Sequence, residues 1–244
     1  MEIINLGGRL VNSYLIKENG KNILVDTGYP DKYTAFENNL KKNSLLSQDI
    51  DYIFITHSHD DHVGFINNVL WNSSAKLVIH EEAFERLELG ENSVKGIPTN
   101  KMTKLIIMLM GMFGKAEHKF PPLDKMFKDR LILINEKTKT DIENMLGAKI
   151  INTPGHTKGS VSLFLETGEL FCGDAASNGF PSKNRISIVV EDMKNYSDSW
   201  KTIIILKPKM IFPGHGKPFF VEDLEKNLVR TETKILHKNK ENLK

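Results

Sequence analysis

Within six residues the chain places His57, His59, Asp61 and His62. Imidazole nitrogen and carboxylate oxygen are donors that divalent cations take, at about 2.0–2.2 Å. In the order His57-Ser58-His59-Asp60-Asp61-His62, the first two histidines can point one way while Asp61 and His62 reach toward a second position. Further candidates follow: His156 in Thr153-Pro154-Gly155-His156-Thr157, Asp174 in Cys172-Gly173-Asp174, and His215 in Phe212-Pro213-Gly214-His215-Gly216. Asp26, in Asp26-Thr27-Gly28, completes the set. Taken singly, a histidine beside a glycine turn is more often a surface residue than a ligand. The hexapeptide resists that reading, because burying it without a cation leaves several polar groups to be satisfied some other way. Metal binding is the chemistry expected.

Each of these residues stands just after an apolar run, where a tight loop can aim donors at one point. Ile50 to Thr56 is nearly continuous in apolar residues, as in a strand buried on both faces, and runs straight into His57. Before it, Val11 to Ile16 and Ile23 to Val25 read as strands around a turn at Glu18-Asn19-Gly20-Lys21. Asp31 to Lys42 reads as a helix with Phe36 and Leu40 on one face, and Phe65 to Trp71 as another. Lys76 to His80, Leu131 to Ile134, Ala148 to Asn152, Ser160 to Glu166, Glu169 to Cys172 and Met210 to Phe212 are the remaining expected strands. Ser197 to Leu206 and Val221 to His237 are expected helices, the second with Glu222, Asp223 and Glu225 in its first turn, where the helix dipole favours negative charge.

The stretch from Glu81 to Arg130 breaks this alternation, with an expected helix at Glu81 to Leu89, then Ile97-Pro98, a Met-rich run from Leu105 to Phe113, and Pro121-Pro122. It reads either as an insertion whose apolar face packs on the domain, or as a lid in which Met108, Met110 and Met112 offer soft, adaptable contact. The whole chain, 1–244, reads as one α/β domain with this insertion at 81–130 and a closing helix at 221–240.

Composition narrows the partners. Lys and Arg number 33 against 31 Asp and Glu, so the chain as a whole has no pull toward nucleic acid or an anionic membrane. The basic residues are mostly Lys, which lacks the bidentate fork of Arg. One cysteine, Cys172, excludes an intrachain disulfide. Met1 to Asn5 lacks the features of a signal peptide, and the longest apolar run falls well short of the ~20 residues that span a bilayer. A cytoplasmic protein with a small-molecule substrate is expected, with no nucleic-acid or membrane partner. An exposed apolar insertion could support a homodimer.

The pattern His57-x-His59-x-Asp61-His62, followed in order by His156, Asp174 and His215 and preceded by Asp26-Thr27-Gly28, resembles the metallo-β-lactamase superfamily. The resemblance runs from about Val11 to Gly216. It implies a four-layer αβ/βα sandwich, two sheets face to face with helices outside and metals at one edge. It also implies one ion on His57, His59 and His156, another on Asp61, His62 and His215, and Asp174 bridging them. Asp26 would orient a ligand histidine, and Asp61 or Asp174 would shuttle a proton to the leaving group. His80, His118 and His237 match no motif position, and Cys172 reads as a small buried hydrophobe.

Such a site implies a hydrolase in which two divalent ions activate a shared water. Zinc is the default, since this chemistry needs no redox, while iron and manganese suit the same donors. Within the superfamily, zinc β-lactamases are exported and lack this full set, and flavodiiron proteins carry a glutamate where His59 stands. Nuclease branches add a domain or an RNA-binding arm. Glyoxalase II-like thioesterases share the ligands but add a longer helical C-terminal region than the 28 residues after Gly216. Acyl-homoserine lactonases place a tyrosine after the bridging aspartate, and Ala175 to Val190 contains none, though Tyr29 could substitute. The expectation is a hydrolase of the glyoxalase II and lactonase-like branch, acting on a small ester, thioester or lactone. The alternatives are a phosphodiesterase, a mononuclear iron oxygenase resembling persulfide dioxygenases and using His57, His156 and Asp174, and a binding module without turnover.

Overall fold

A computed structural model describes residues 1–92, 96–112 and 119–241, with 110–112 and 235–241 described by backbone alone. His118 and the side chains of Met110, Met112 and His237 therefore lie outside the described residues. Along the chain run β1 (Glu2–Asn5), β2 (Tyr14–Glu18), β3 (Lys21–Val25), α1 (Tyr33–Lys42), β4 (Tyr52–Ile55), α2 (Asp60–Val63), α3 (Ile66–Trp71), β5 (Lys76–His80) and α4 (Glu81–Leu89). Next come β6 (Ile97–Pro98), α5 (Lys101–Met112), β7 (Leu131–Ile134), α6 (Lys139–Leu146), β8 (Ala148–Asn152), β9 (Val161–Leu165) and β10 (Glu169–Gly173). The last elements are β11 (Val189–Val190), α7 (Met193–Leu206), β12 (Met210–Pro213) and α8 (Glu222–Glu241). No helix among the described residues is long and apolar enough to cross a membrane.

The chain forms two compact units, one of residues 1–93 and 117–146 and the other of 94–116 and 147–244. The first is built on a six-stranded sheet in the order β1-β2-β3-β4-β5-β7. Its first three strands are antiparallel, and β3, β4, β5 and β7 run parallel. The β2–β3 turn has positive φ at both Asn19 and Gly20, the backbone that a two-residue hairpin turn requires. Leu24, Ile53, Ile55, Leu77 and Ile79 pack with Phe36 and Leu40 of α1 and Ile66, Val69 and Leu70 of α3. Phe54 and Val78, one residue out of phase with these, are buried too, as a parallel strand covered on both faces should be.

The second unit holds a four-stranded sheet, β12-β10-β9-β8, and the small antiparallel pair β6–β11. Strands β8, β9 and β10 are antiparallel, while β12 joins β10 in parallel. Trp200 and Tyr196 of α7 fill its core beside Leu170, Ile211 and Leu224. Burying an indole requires a partner for its N–H, and Trp200 Nε1 donates to the Ala175 carbonyl at 2.7 Å. Helix α7 begins four residues before the expected start, because the Asp192 side chain accepts from the Lys194 and Asn195 amides.

Helix α5 inverts the usual amphipathic pattern. Among its described side chains Thr103 is the buried one, at 1% exposure, while Met102, Leu105, Ile107, Met108 and Leu109 are exposed.

Candidate metal centre

In the first unit the candidate residues follow the carboxyl ends of two parallel strands. Val25 of β3 lies opposite Phe54 of β4, so Asp26 and the segment from Thr56 to His62 leave the sheet side by side. This is where open parallel sheets gather ligands. Asp26, 2% exposed, receives the Thr56 amide on Oδ1 at 2.8 Å. Its Oδ2 accepts from the Thr56 hydroxyl at 2.7 Å and faces His62 Nδ1 at 2.8 Å.

These bonds fix the protonation of two rings. A carboxylate only accepts, so His62 carries a proton on Nδ1, and in the neutral ring Nε2 is the lone pair. The Thr56 hydroxyl proton is spent on Asp26, so its oxygen is the acceptor for His57 Nδ1 at 3.1 Å, and in the neutral ring Nε2 of His57 is likewise the lone pair. A ligating histidine held through its other nitrogen is the usual arrangement at a metal. Thr27 adds two bonds to the His62 carbonyl, from its amide at 2.7 Å and its hydroxyl at 2.9 Å.

His57, His59, Asp61 and His62 are thereby gathered in this unit. The ring centroids of His57 and His59 are 4.7 Å apart, and those of His57 and His62 4.1 Å. Asp61 Oδ1 stands 3.7 Å from His62 Nε2. Three imidazoles and a carboxylate this close, with His57 and His62 fully buried, call for a cation among them.

The second unit gathers His156, Asp174 and His215. Gly173 of β10 lies opposite Pro213 of β12, and the Gly214 amide bonds the Gly173 carbonyl, so Asp174 and His215 also leave adjacent parallel strands. His156 Nδ1 lies 2.8 Å from the Val189 carbonyl, so that nitrogen carries a proton and in the neutral ring Nε2 is the lone pair. The glycine beside each histidine is needed. Gly155 has φ 129 and a Cβ there would meet the Tyr196 amide at 2.3 Å; Gly216 has φ 85 and would meet the Asn178 backbone at 2.2 Å. The Asp174 oxygens are divided, Oδ2 at 3.7 Å from His156 Nε2 and Oδ1 at 3.5 Å from His215 Nε2. Direct hydrogen bonds would be about 2.7–3.2 Å. Two donors sharing a tetrahedral cation stand about 3.4 Å apart, so these spacings fit a metal better.

The candidates thus occupy two local sets, each fitted to metal binding. Thr56, Thr27 and the Val189 carbonyl were not among the sequence candidates. Thr56 and Thr27 adjoin the motifs, but a backbone carbonyl leaves no mark in a sequence. His80, outside the set, accepts the Glu82 amide and caps α4. Cys172 is buried among Leu170, Ala175 and Trp200.

Residues 6–215 match the family model of the metallo-β-lactamase superfamily, and the chain belongs to that superfamily. A β-lactamase-like protein 2 homolog of Drosophila melanogaster is 28% identical over 93% of this chain and 64% of its own length. The chain therefore spans less than two thirds of that relative. A metallo-β-lactamase fold-containing protein of Sulfurisphaera tokodaii is 27% identical over 86% of this chain and 75% of its own. A probable metallo-hydrolase of Bacillus subtilis is 22% identical over 93% and 88%. Among solved structures, a metallo-β-lactamase of Cronobacter sakazakii superposes with a TM-score of 0.65 at 16% identity, covering 97% of this chain and 90% of the other. The archaeal superfamily protein from Sulfolobus tokodaii gives 0.59 at 21%, over 91% and 80%. At such identities the likeness concerns the fold, which is the metallo-β-lactamase fold.

Proposed function

We propose that this protein is a metal-dependent hydrolase holding two divalent ions, zinc by default, and acting on a small ester, thioester or lactone. The observation that carries the reading is the Asp174 carboxylate, whose two oxygens face two different imidazole nitrogens. A carboxylate so divided suits a bridge between two cations. One would take His57, His59 and His156 and the other Asp61, His62 and His215, as membership of the superfamily implies. When bound, such ions ionise a water near neutral pH and polarise a substrate carbonyl.

The chain's own groups have defined tasks around that chemistry. Asp26, Thr56 and the Val189 carbonyl hold His62, His57 and His156 with Nε2 presented as a donor. Asp61, with its side chain 15% exposed, or Asp174 would pass a proton to the leaving group. Cys172 is buried and takes no part. The naming of relatives as probable metallo-hydrolases supports hydrolysis, and the exposed apolar residues of α5 favour a substrate with an acyl part.

The test is hydrolysis of a panel of thioester, lactone, carboxylic ester and phosphodiester by zinc-, manganese- and iron-loaded protein, with Asp174→Ala as the blank. A rate on one carbonyl class well above the blank is expected, with the variant losing at least one ion by elemental analysis. Full activity of Asp174→Ala with two ions bound would refute the bridge. No hydrolysis, with oxygen consumed by the iron form on a persulfide, would replace the reading with the oxidative one.

A further inference from the structure

We infer that Asn92 is a positioning residue for the turn that carries Asp61 and His62, acting through Asp60; the inference rests on the metal-site reading above. Helix α2 is a single turn of four residues, and one turn does not sustain itself. Its N-cap residue, His59, makes no side-chain capping bond. The first amide of the turn, that of Asp60, instead donates to Asn92 Oδ1 at 2.8 Å. In return Asn92 Nδ2 donates to Asp60 Oδ1 at 2.7 Å. This reciprocal pair fixes both the backbone and the side chain of the residue standing between His59 and Asp61.

The pairing selects for a carboxamide, which offers an acceptor and a donor on one short group. An aspartate at 92 would keep the acceptor but set two carboxylates against each other. Asn92 is itself well anchored. It follows α4, which closes on Gly90 in the left-handed region, where a Cβ would meet the Phe120 carbonyl at 2.5 Å. The Phe120 amide donates to the Gly90 carbonyl at 2.9 Å, and Glu91 pairs with Lys119 in an antiparallel bridge while accepting from Arg86 at 3.1 Å. The bonds from Thr27 to the His62 carbonyl secure the far end of the turn. Asn92 secures the near end, so Asp61 and His62 are held from both sides.

The test compares Asn92→Ala, Asn92→Asp and the exchange Asp60→Asn with Asn92→Asp, which restores both bonds with the side-chain donor reversed. The readouts are zinc affinity by chelator competition, the visible spectrum of cobalt-substituted protein, and the Tm of the metal-free form. Asn92→Ala is expected to weaken one ion about 10–100-fold and to alter its cobalt bands. Its metal-free Tm should fall by roughly 2–12 °C, as the loss of two ordinary hydrogen bonds implies. Asn92→Asp alone should be as weak, and the exchange should return affinity toward that of the unaltered protein. Unchanged affinity in both single variants overturns the inference, and so does a collapse of the metal-free Tm with equal loss of every ion. If the unaltered protein binds a single ion, the two-ion reading fails by itself, and Asn92→Ala still decides the positioning role by the affinity of that ion.

Discussion

Asp26 carries more of the site than its distance from the chemistry would indicate. It is an aspartate at φ 57, a left-handed backbone uncommon outside glycine, and such strain persists where surrounding bonds over-determine it. Here they do, through Thr56, His62 and the Ser13 hydroxyl on the Asp26 carbonyl at 2.8 Å. Asp26→Asn keeps the shape but places an N–H₂ where an oxygen accepted two protons. Whichever way the amide is turned, one donor faces another, and relief at His62 requires moving its proton to Nε2, which removes the metal-binding lone pair. A 10–100-fold loss of zinc affinity is expected, read by chelator competition; affinity equal to the unaltered protein would show that Asp26 does not set this tautomer. The histidine and aspartate donors were legible in the sequence because four crowd one hexapeptide and the rest follow strand ends. Of the bonds that settle which nitrogen faces outward, the one from Asp26 to a ligand histidine was expected, whereas those at His57 and His156 were not, since they run from Thr56 and the Val189 carbonyl, positions that no spacing rule marks.

Parallel pairing is what brings separate loops together within each unit: β3 beside β4 for Asp26 and the hexapeptide, β10 beside β12 for Asp174 and His215. Strands such as Lys76–His80 and Ala148–Asn152 matched their expected bounds because Ser73-Ser74 and Gly147 precede them and apolar residues fill their centres. Strand β1 leaves no clear pattern in the sequence, since Glu2–Asn5 is short and only half-buried, and β6 and β11 are two residues each, below any period. Helix α5 is the element whose sequence and burial disagree most, with Met102, Leu105, Ile107, Met108 and Leu109 exposed while Thr103 is buried. If that surface meets the acyl part of a substrate, Met108→Glu should act on binding alone. Met108 is 56% exposed, so stability should change by no more than about 0.5 kcal/mol. The Michaelis constant should rise with acyl chain length while kcat for a short ester stays constant. Steady-state kinetics on an ester series checks this, and a uniform effect across chain lengths would remove α5 from substrate recognition.

At the scale of the whole molecule, the proposed ligands divide into four at positions 57–62 and three at 156, 174 and 215, and the two compact units divide them in the same way. An unfolded chain cannot offer such a set at once, so ions that need it bind the folded state and stabilise it by mass action. At free ion a thousandfold above Kd that amounts to about 4.1 kcal/mol for each ion. For a chain of this length, 1 kcal/mol moves Tm by about 2–4 °C, so chelation should lower it by roughly 8–16 °C for each ion removed. The single-domain reading adds that calorimetry should show one transition with metal and one without, both at the same protein concentration. Two transitions, of which chelator moves only one, would instead place the ions within a single unit. The bridge assigned to Asp174 would then lose its purpose, because its two oxygens would no longer serve ligand sets drawn from distant parts of the chain.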